Sequence, residues 1–173
     1  MSKSSQFRAI LLGIALFYGA VVTYPSFSAL AGTISGDAGT IGGNAAIVTI
    51  PAPHDFKTLV SRLEDAVTKN DMLVVAKASA SAGAEKRGLK IPGDAVIMVF
   101  RNDFAVRMLQ ADAGAGLEAP MPIHVFEAPN GSVYIAYRRP SAVFGPYHTV
   151  ALDEMARELD TIFDRIVMQA TAR

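Results

Sequence analysis

Between residues 122 and 138, two alternating runs, Pro122–Ala128 (PIHVFEA) and Ser132–Arg138 (SVYIAYR), flank the triplet Pro129-Asn130-Gly131. Proline presets φ for the first turn position and glycine accepts the positive φ of a bulge, so the triplet predicts a three-residue hairpin loop. Such a loop sets Ala128 opposite Ser132 and fixes every pair behind it. Because successive side chains of a strand point to opposite faces, Ile123, Val125, Val133, Ile135 and Tyr137 share one face, with Glu127 at its end. His124, Phe126, Tyr134, Ala136 and Arg138 share the other. A two-residue Asn-Gly turn would slip the pairing by one and mix the two sets. The first face is apolar and demands cover; the second is mixed.

The rest of the folded part supplies that cover. Ala45–Ile50 is a β-branched run closed by Pro51 and Pro53, hence a first strand. Phe56, Leu59, Val60, Leu63, Ala66 and Val67 recur with the helical period, with Asp55 placed favourably near the helix start. Asn70-Asp71 makes a turn into a second strand, Met72–Ala78. Ser79–Gly88 reads as a short helix, with Gly88 in the left-handed position past its end. Pro92-Gly93 leads into a third, continuously apolar strand, Ala95–Phe100, as befits a central position. Asn102 or Asp103 is expected to cap a helix running to about Asp112, and Gly114, Gly116 and Pro120 open a loop. Finally, Leu152, Met155, Ala156, Leu159, Ile162, Phe163, Ile166 and Ala170 form one stripe along a long C-terminal amphipathic helix. A stripe of this spacing is core packing. The order β-α-β-α-β-α-β-β-α predicts one compact α+β (mixed α/β) domain whose mixed sheet has crossovers between its early strands.

Upstream, residues 1–31 have the three parts of a signal peptide. Lys3 and Arg8 make a positive start, Ala9–Val22 is uncharged and apolar, and Ala29-Leu30-Ala31 offers a small-x-small cleavage pattern after Pro25. The apolar run is 14 residues, whereas a membrane-spanning helix takes roughly 20. Cleavage after Ala31, with delivery to the periplasm or beyond the cell and no membrane attachment afterwards, is the expectation; retention as an anchor is the alternative. Residues 32–44 are rich in Gly, Thr and Ser and read as a flexible linker, leaving 45–173 as the domain. The linker glycines match neither a P-loop nor a dinucleotide fingerprint.

The full chain balances 16 basic against 16 acidic residues, and removal of the leader leaves 14 against 16. That balance gives no footprint for nucleic acid and no basic stripe for anionic lipid. The absence of cysteine excludes disulfides, thiolate nucleophiles, cysteine metal sites and a lipoprotein anchor.

From Phe56 onward the chain resembles the bacterial family known as domain of unknown function 302. The features that carry the likeness are the helix ending before Asn70-Asp71, Ala84 and Gly88, Phe100-x-Asn102, Met121-Pro122-Ile123, Gly131, and Tyr137-x-x-Pro140 with His148 before the last helix. The family commonly has Phe-Gly-Asn-Pro where this chain has Phe100-Arg101-Asn102-Asp103. The resemblance implies a compact α/β domain that self-associates, here as a homodimer, and an extracytoplasmic role for members with signal peptides. It implies no reaction and no cofactor.

The residues themselves nominate a ligand-binding set. His124, Tyr134 and Arg138 combine an imidazole, a phenol and a guanidinium on one sheet face, chemistry suited to a small anionic or aromatic ligand. Phe126 and Ala136 on that face equally suit a dimer interface. Arg101 and Asn102 stand at a strand–helix junction, the place where open α/β sheets bind ligands. The three histidines form no local metal chelate; a site assembled in space would draw on His124, His148 and Met121. No G-x-S-x-G and no Ser-x-x-Lys pair occurs in the domain, and no carboxylate pair is marked out for acid–base work. The leading expectation is a non-enzymatic exported domain that binds a small molecule or a partner. The alternatives are a small hydrolase or isomerase built on His124, Tyr134 and Arg138, and a structural module of the cell envelope.

Overall fold

The computed structural model describes residues 46–173; the leader and the whole of the linker lie outside them. Five strands, β1 (Ile47–Ala52), β2 (Leu73–Ala78), β3 (Asp94–Phe100), β4 (Met121–Glu127) and β5 (Val133–Arg138), form one sheet in the order β1-β5-β4-β3-β2. Five helices accompany them: α1 (Phe56–Lys69), α2 (Ala80–Glu85), α3 (Asn102–Ala111), α4 (Pro140–Phe144) and α5 (Val150–Thr171).

Every neighbouring pair is antiparallel; the expected crossover is made between β1 and β2, which α1 joins from one edge of the sheet to the other, and is absent between β2 and β3 and between β3 and β4. The reason lies in where the intervening helices sit. The last residues of β3 pair with the first of β4, Val99 opposite Met121, so α3 and the 3₁₀ turn Ala113–Glu118 are merely a long connection at one end of a hairpin. The segment with α2 joins β2 to β3 in the same way, Ala78 pairing with Val96. Helices that turn the chain around at a strand end need not cross the sheet.

Local chemistry explains most boundaries. Asp55 is the N-cap of α1: its carboxylate accepts from the Thr58 N–H at 3.0 Å and the Thr58 hydroxyl at 2.6 Å, and these bonds hold its carboxyl below the usual range. Asn70 closes the helix by donating from Nδ2 to the Ala66 carbonyl at 2.8 Å, and Asp71 then reverses the chain at φ 56°. Gly88 takes φ 73° after α2, as anticipated. Strand β1 runs through Pro51 rather than stopping there. As an edge strand paired only to β5, it tolerates a residue without an N–H.

The hairpin has the anticipated register. The Ala128 N–H donates to the Ser132 carbonyl, and the Gly131 N–H to that of Ala128, each at 2.8 Å; Gly131 has φ 81°. His124 pairs with Ala136 and Phe126 with Tyr134. Consequently Ile97, Val99, Ile123, Val125, Val133, Ile135 and Tyr137 are all buried in one cluster with Leu59, Leu63 and Val67 of α1 and Leu152, Leu159, Phe163 and Ile166 of α5. Burial of each such side chain is worth about 1.5–3 kcal/mol, which makes this layer the source of the fold's stability. Helices α1 and α5 are further locked by Arg62, which donates to the carbonyls of Ala170, Gln169 and Ala172 at 2.9, 3.1 and 2.7 Å. Those carbonyls belong to the last turn of α5 and its C-cap, Ala172, where helix geometry supplies no donor. Among the described residues no helix is long and apolar enough to cross a membrane.

Candidate functional site

The opposite face of the sheet carries the residues that alternate with the core: Val96, Met98 and Phe100 of β3, His124 and Phe126 of β4, Tyr134 and Ala136 of β5. None of them is buried, although this face is as apolar as many interfaces. At its β2 margin Leu73 and Val75 are 57% and 48% exposed. Among the described residues, the two long helices belong to the other side.

Three aromatic rings form a ladder across this open face. His124 stacks on Phe126 with centroids 5.0 Å apart, and Phe126 on Tyr134 at 5.3 Å, the planes inclined by 23° and 19°. Ring pairs of this kind contribute about 0.5–1.5 kcal/mol beyond their burial. The His124 ring is fixed further by Asp94, whose Oδ2 lies 2.8 Å from Nε2. With two of its sides held, the imidazole is a positioned group rather than a free surface histidine. The Tyr134 hydroxyl has no hydrogen bond among the described residues.

The other nominated residues go elsewhere. Ile123 pairs with Tyr137, which sets Arg138 opposite Pro122 and diagonally across from His124, and its side chain lines a separate cleft beyond the strand end. That cleft, about 460 Å³, is shared with Glu118, Ala142, Val143, Pro146 and Tyr147. Arg101 and Asn102 do not join the face either. Arg101 is the extended residue before α3, with φ −147° and ψ 127°, and Asn102 is the first helical residue rather than the cap. Neither Asn102 nor Asp103 caps the helix, because the Asp103 carboxylate is taken by Arg101, at 2.7 Å from Nε and 3.1 Å from Nη2. The same guanidinium lies 4.1 Å from the centroid of the Phe104 ring. An extended backbone needs no glycine, so the departure from the family's Phe-Gly-Asn-Pro is accommodated without strain. Arg101 borders a cavity of about 30 Å³ whose lining is otherwise apolar side chains, most of them in the core, space for one water molecule and no ligand.

The residues named for a spatial metal site are likewise apart. Met121 is buried on the helix side of the sheet while His124 is on the open side, and His148 sits in a left-handed turn ahead of α5. Among the described residues no three His, Cys, Asp or Glu side chains group as metal ligands. The third histidine, His54, hydrogen-bonds the Ala172 carbonyl through Nε2 at 2.8 Å.

Three relevant residues escape a reading of the sequence. Asp94, 30 positions from His124, becomes its partner only through the β3–β4 register. Glu118 and Tyr147 converge from the 3₁₀ turn and the segment after α4, where the sequence shows only a Gly- and Pro-rich loop. The Tyr147 hydroxyl donates to Glu118 Oε1 at 3.1 Å; partial burial first, and this carboxylate second, raise its pKa.

This sheet-and-helix arrangement is similar to that in the crystal structure of an uncharacterized conserved protein DUF302 from Bacillus stearothermophilus. The two share a TM-score of 0.66 at 19% sequence identity, over 73% of this chain and 99% of that one. No curated protein matches the chain. The family described as domain of unknown function DUF302 matches residues 48–170, which is most of the chain and takes in all five strands. This protein belongs to the DUF302 family.

Proposed function

We propose that this chain is an exported, non-enzymatic binding domain whose recognition surface is the open face of the sheet, and that the face takes a second copy of the chain. The aromatic ladder His124–Phe126–Tyr134 on an uncovered sheet carries this reading. None of the four main cavities among the described residues is lined by those three side chains, so the face suits a flat partner better than a small ligand. Its composition, rich in Phe, Met and Tyr with a single acid held by a histidine, is that of an interface core. A surface of this kind is complementary to itself and fits two-fold association. Export rests on the leader, with its positive start, brief apolar run and Ala29-Leu30-Ala31.

A small hydrolase or isomerase is the second reading, favoured by the Asp94–His124 hydrogen bond. Against it, the imidazole is stacked on Phe126 in a face without a recess, and Arg138 is turned into another cleft.

Sedimentation equilibrium on wild type and Phe126→Glu tests the proposal. The expected result is a dimer for the wild type and a monomer with unchanged circular dichroism for the variant, because two like charges would be buried against each other. A monomeric wild type, or a variant that still dimerises, overturns it.

A further inference from the structure

The cleft beyond the end of β5 has the chemistry of a ligand site distinct from the open face. Arg138 enters it from the sheet with an exposed guanidinium that has no acid partner among the described residues. Glu118 lines it as well. Although both line the same cleft, they form no ion pair. Tyr147 uses its hydroxyl on Glu118 Oε1, which orients the carboxylate and leaves Oε2 available. The Tyr147 ring is itself held against Phe144, centroids 6.5 Å apart. Val143, Ala142 and Pro146 add apolar lining.

A cation and an anion that line one recess of about 460 Å³ without pairing with each other select for a ligand carrying both complements. A simple anion reaching Arg138 meets the field of Glu118, and a simple cation reaching Glu118 meets that of Arg138. A zwitterion satisfies both at once, and the volume is of the order that small-molecule sites occupy, about 300–1,000 Å³.

We propose that this cleft binds a small zwitterion of the α-amino acid type with a modest apolar side chain. The ligand carboxylate takes the fork of Arg138, its ammonium bonds Glu118 Oε2, and its side chain lies against Val143 and Pro146. A planar guanidinium fork suits a carboxylate bidentately. The phenol of Tyr147 stays protonated near neutral pH and continues to position Glu118 while the ligand is held.

Isothermal titration calorimetry on the purified protein tests this with three probes of nearly equal shape. L-Valine carries both charges, valinamide only the cation, and isovalerate only the anion. L-Valine is expected to bind in the millimolar range or tighter, with each half-charged probe at least about tenfold weaker, since a hydrogen bond to a charged group is worth about 1.5–3 kcal/mol. Arg138→Gln and Glu118→Gln should each cost a similar factor. Phe126→Glu, which disrupts the open face only, should leave the affinity unchanged, so the outcome is separable from that of the dimer. Should Glu118→Gln lower the melting temperature, Arg138→Gln, at an exposed position, stands alone as the test. The proposal is overturned by an absence of L-valine binding, by isovalerate or valinamide binding as tightly as L-valine, or by an Arg138→Gln variant with wild-type affinity.

Discussion

The two faces of this sheet are made by the same strands and the same alternation, yet they have opposite fates. On the covered face, Ile97, Ile123, Val125 and Ile135 are completely buried beneath α1 and α5. On the open face their immediate neighbours Met98, His124, Phe126 and Ala136 remain partly accessible. The difference is not one of hydrophobicity, because Met98, Phe100 and Phe126 are as greasy as the core. It lies in the supply of amphipathic helices: the two long ones of the domain, α1 and α5, pack on one side. An antiparallel sheet can leave one face in water, but natural surfaces do so with polar residues. The row of aromatics left there is the feature on which the proposed recognition surface rests.

The contrast is most easily broken by truncating one aromatic on each face. Phe163 of α5 is fully buried, and Phe163→Ala should lower the unfolding free energy by about 3–5 kcal/mol, the usual cost of emptying a core aromatic site. Phe126→Ala, measured by urea denaturation at a dilution where the chain is monomeric, should cost no more than the stacking it loses, about 0.5–1.5 kcal/mol. Comparable losses at both positions would mean that the open face is covered in the folded protein, and the distinction between the faces would fail.

A smaller effect addresses what assigns each residue to its face. The assignment depends on the hairpin loop, since a slip of one residue would exchange the two sets of side chains. Gly131 sits at φ 81°, and a Cβ added there would find no neighbour within 4 Å, so Gly131→Ala meets no clash and its only penalty is the left-handed backbone. The expected cost is roughly 1–2 kcal/mol, with the His124–Ala136 cross-strand contact retained in nuclear Overhauser spectra. Loss of that contact would show that the loop is not what holds the register.

How legible all this is in the sequence follows from the range of each interaction. The hairpin, the left-handed Gly88, the Asn70-Asp71 turn and the stripe of α5 are set by neighbours a few residues apart, and each can be read directly. The direction of the early strands is not local. Helices between strands suggest crossovers; α1 makes one, and only the placing of α2 and α3 at strand ends shows that the chain turns back there. Helix α4 is shorter than any period can reveal, and Pro140 reads as a stop although it is the first helical residue. For the candidate site, the sequence places His124, Phe126 and Tyr134 together because the hairpin register alone decides it. It misplaces Arg138 with them because alternation fixes the face of a residue and not where a long, flexible side chain at a strand end will go. Glu118 and Tyr147, brought together by two loops, leave no periodic trace.

The smallest of these effects tests the polar margin of the covered face. Tyr137 is 4% exposed and its hydroxyl donates to Asp164 Oδ1 at 2.9 Å, whereas Tyr134 on the open face has a hydroxyl without a hydrogen bond among the described residues. Tyr137→Phe should therefore cost about 1 kcal/mol, the net worth of a typical hydrogen bond, and Tyr134→Phe nothing measurable. The pH dependence makes the contrast sharper. Burial first, and the Asp164 carboxylate second, push the Tyr137 phenol well above its ordinary value. In the unfolded chain it ionises near its ordinary pKa of about 10, while the folded protein keeps the proton. Above that pH the unfolded state binds fewer protons than the native one, so stability falls as pH rises. The contribution is fully present below about pH 10 and is lost progressively above it. Thermal melts from neutral to strongly alkaline pH should show this loss in wild type and Tyr134→Phe, and a shallower decline in Tyr137→Phe. Equal slopes for Tyr137→Phe and wild type would remove Tyr137 from the buried layer and blur the boundary between the two faces at the edge nearest α5.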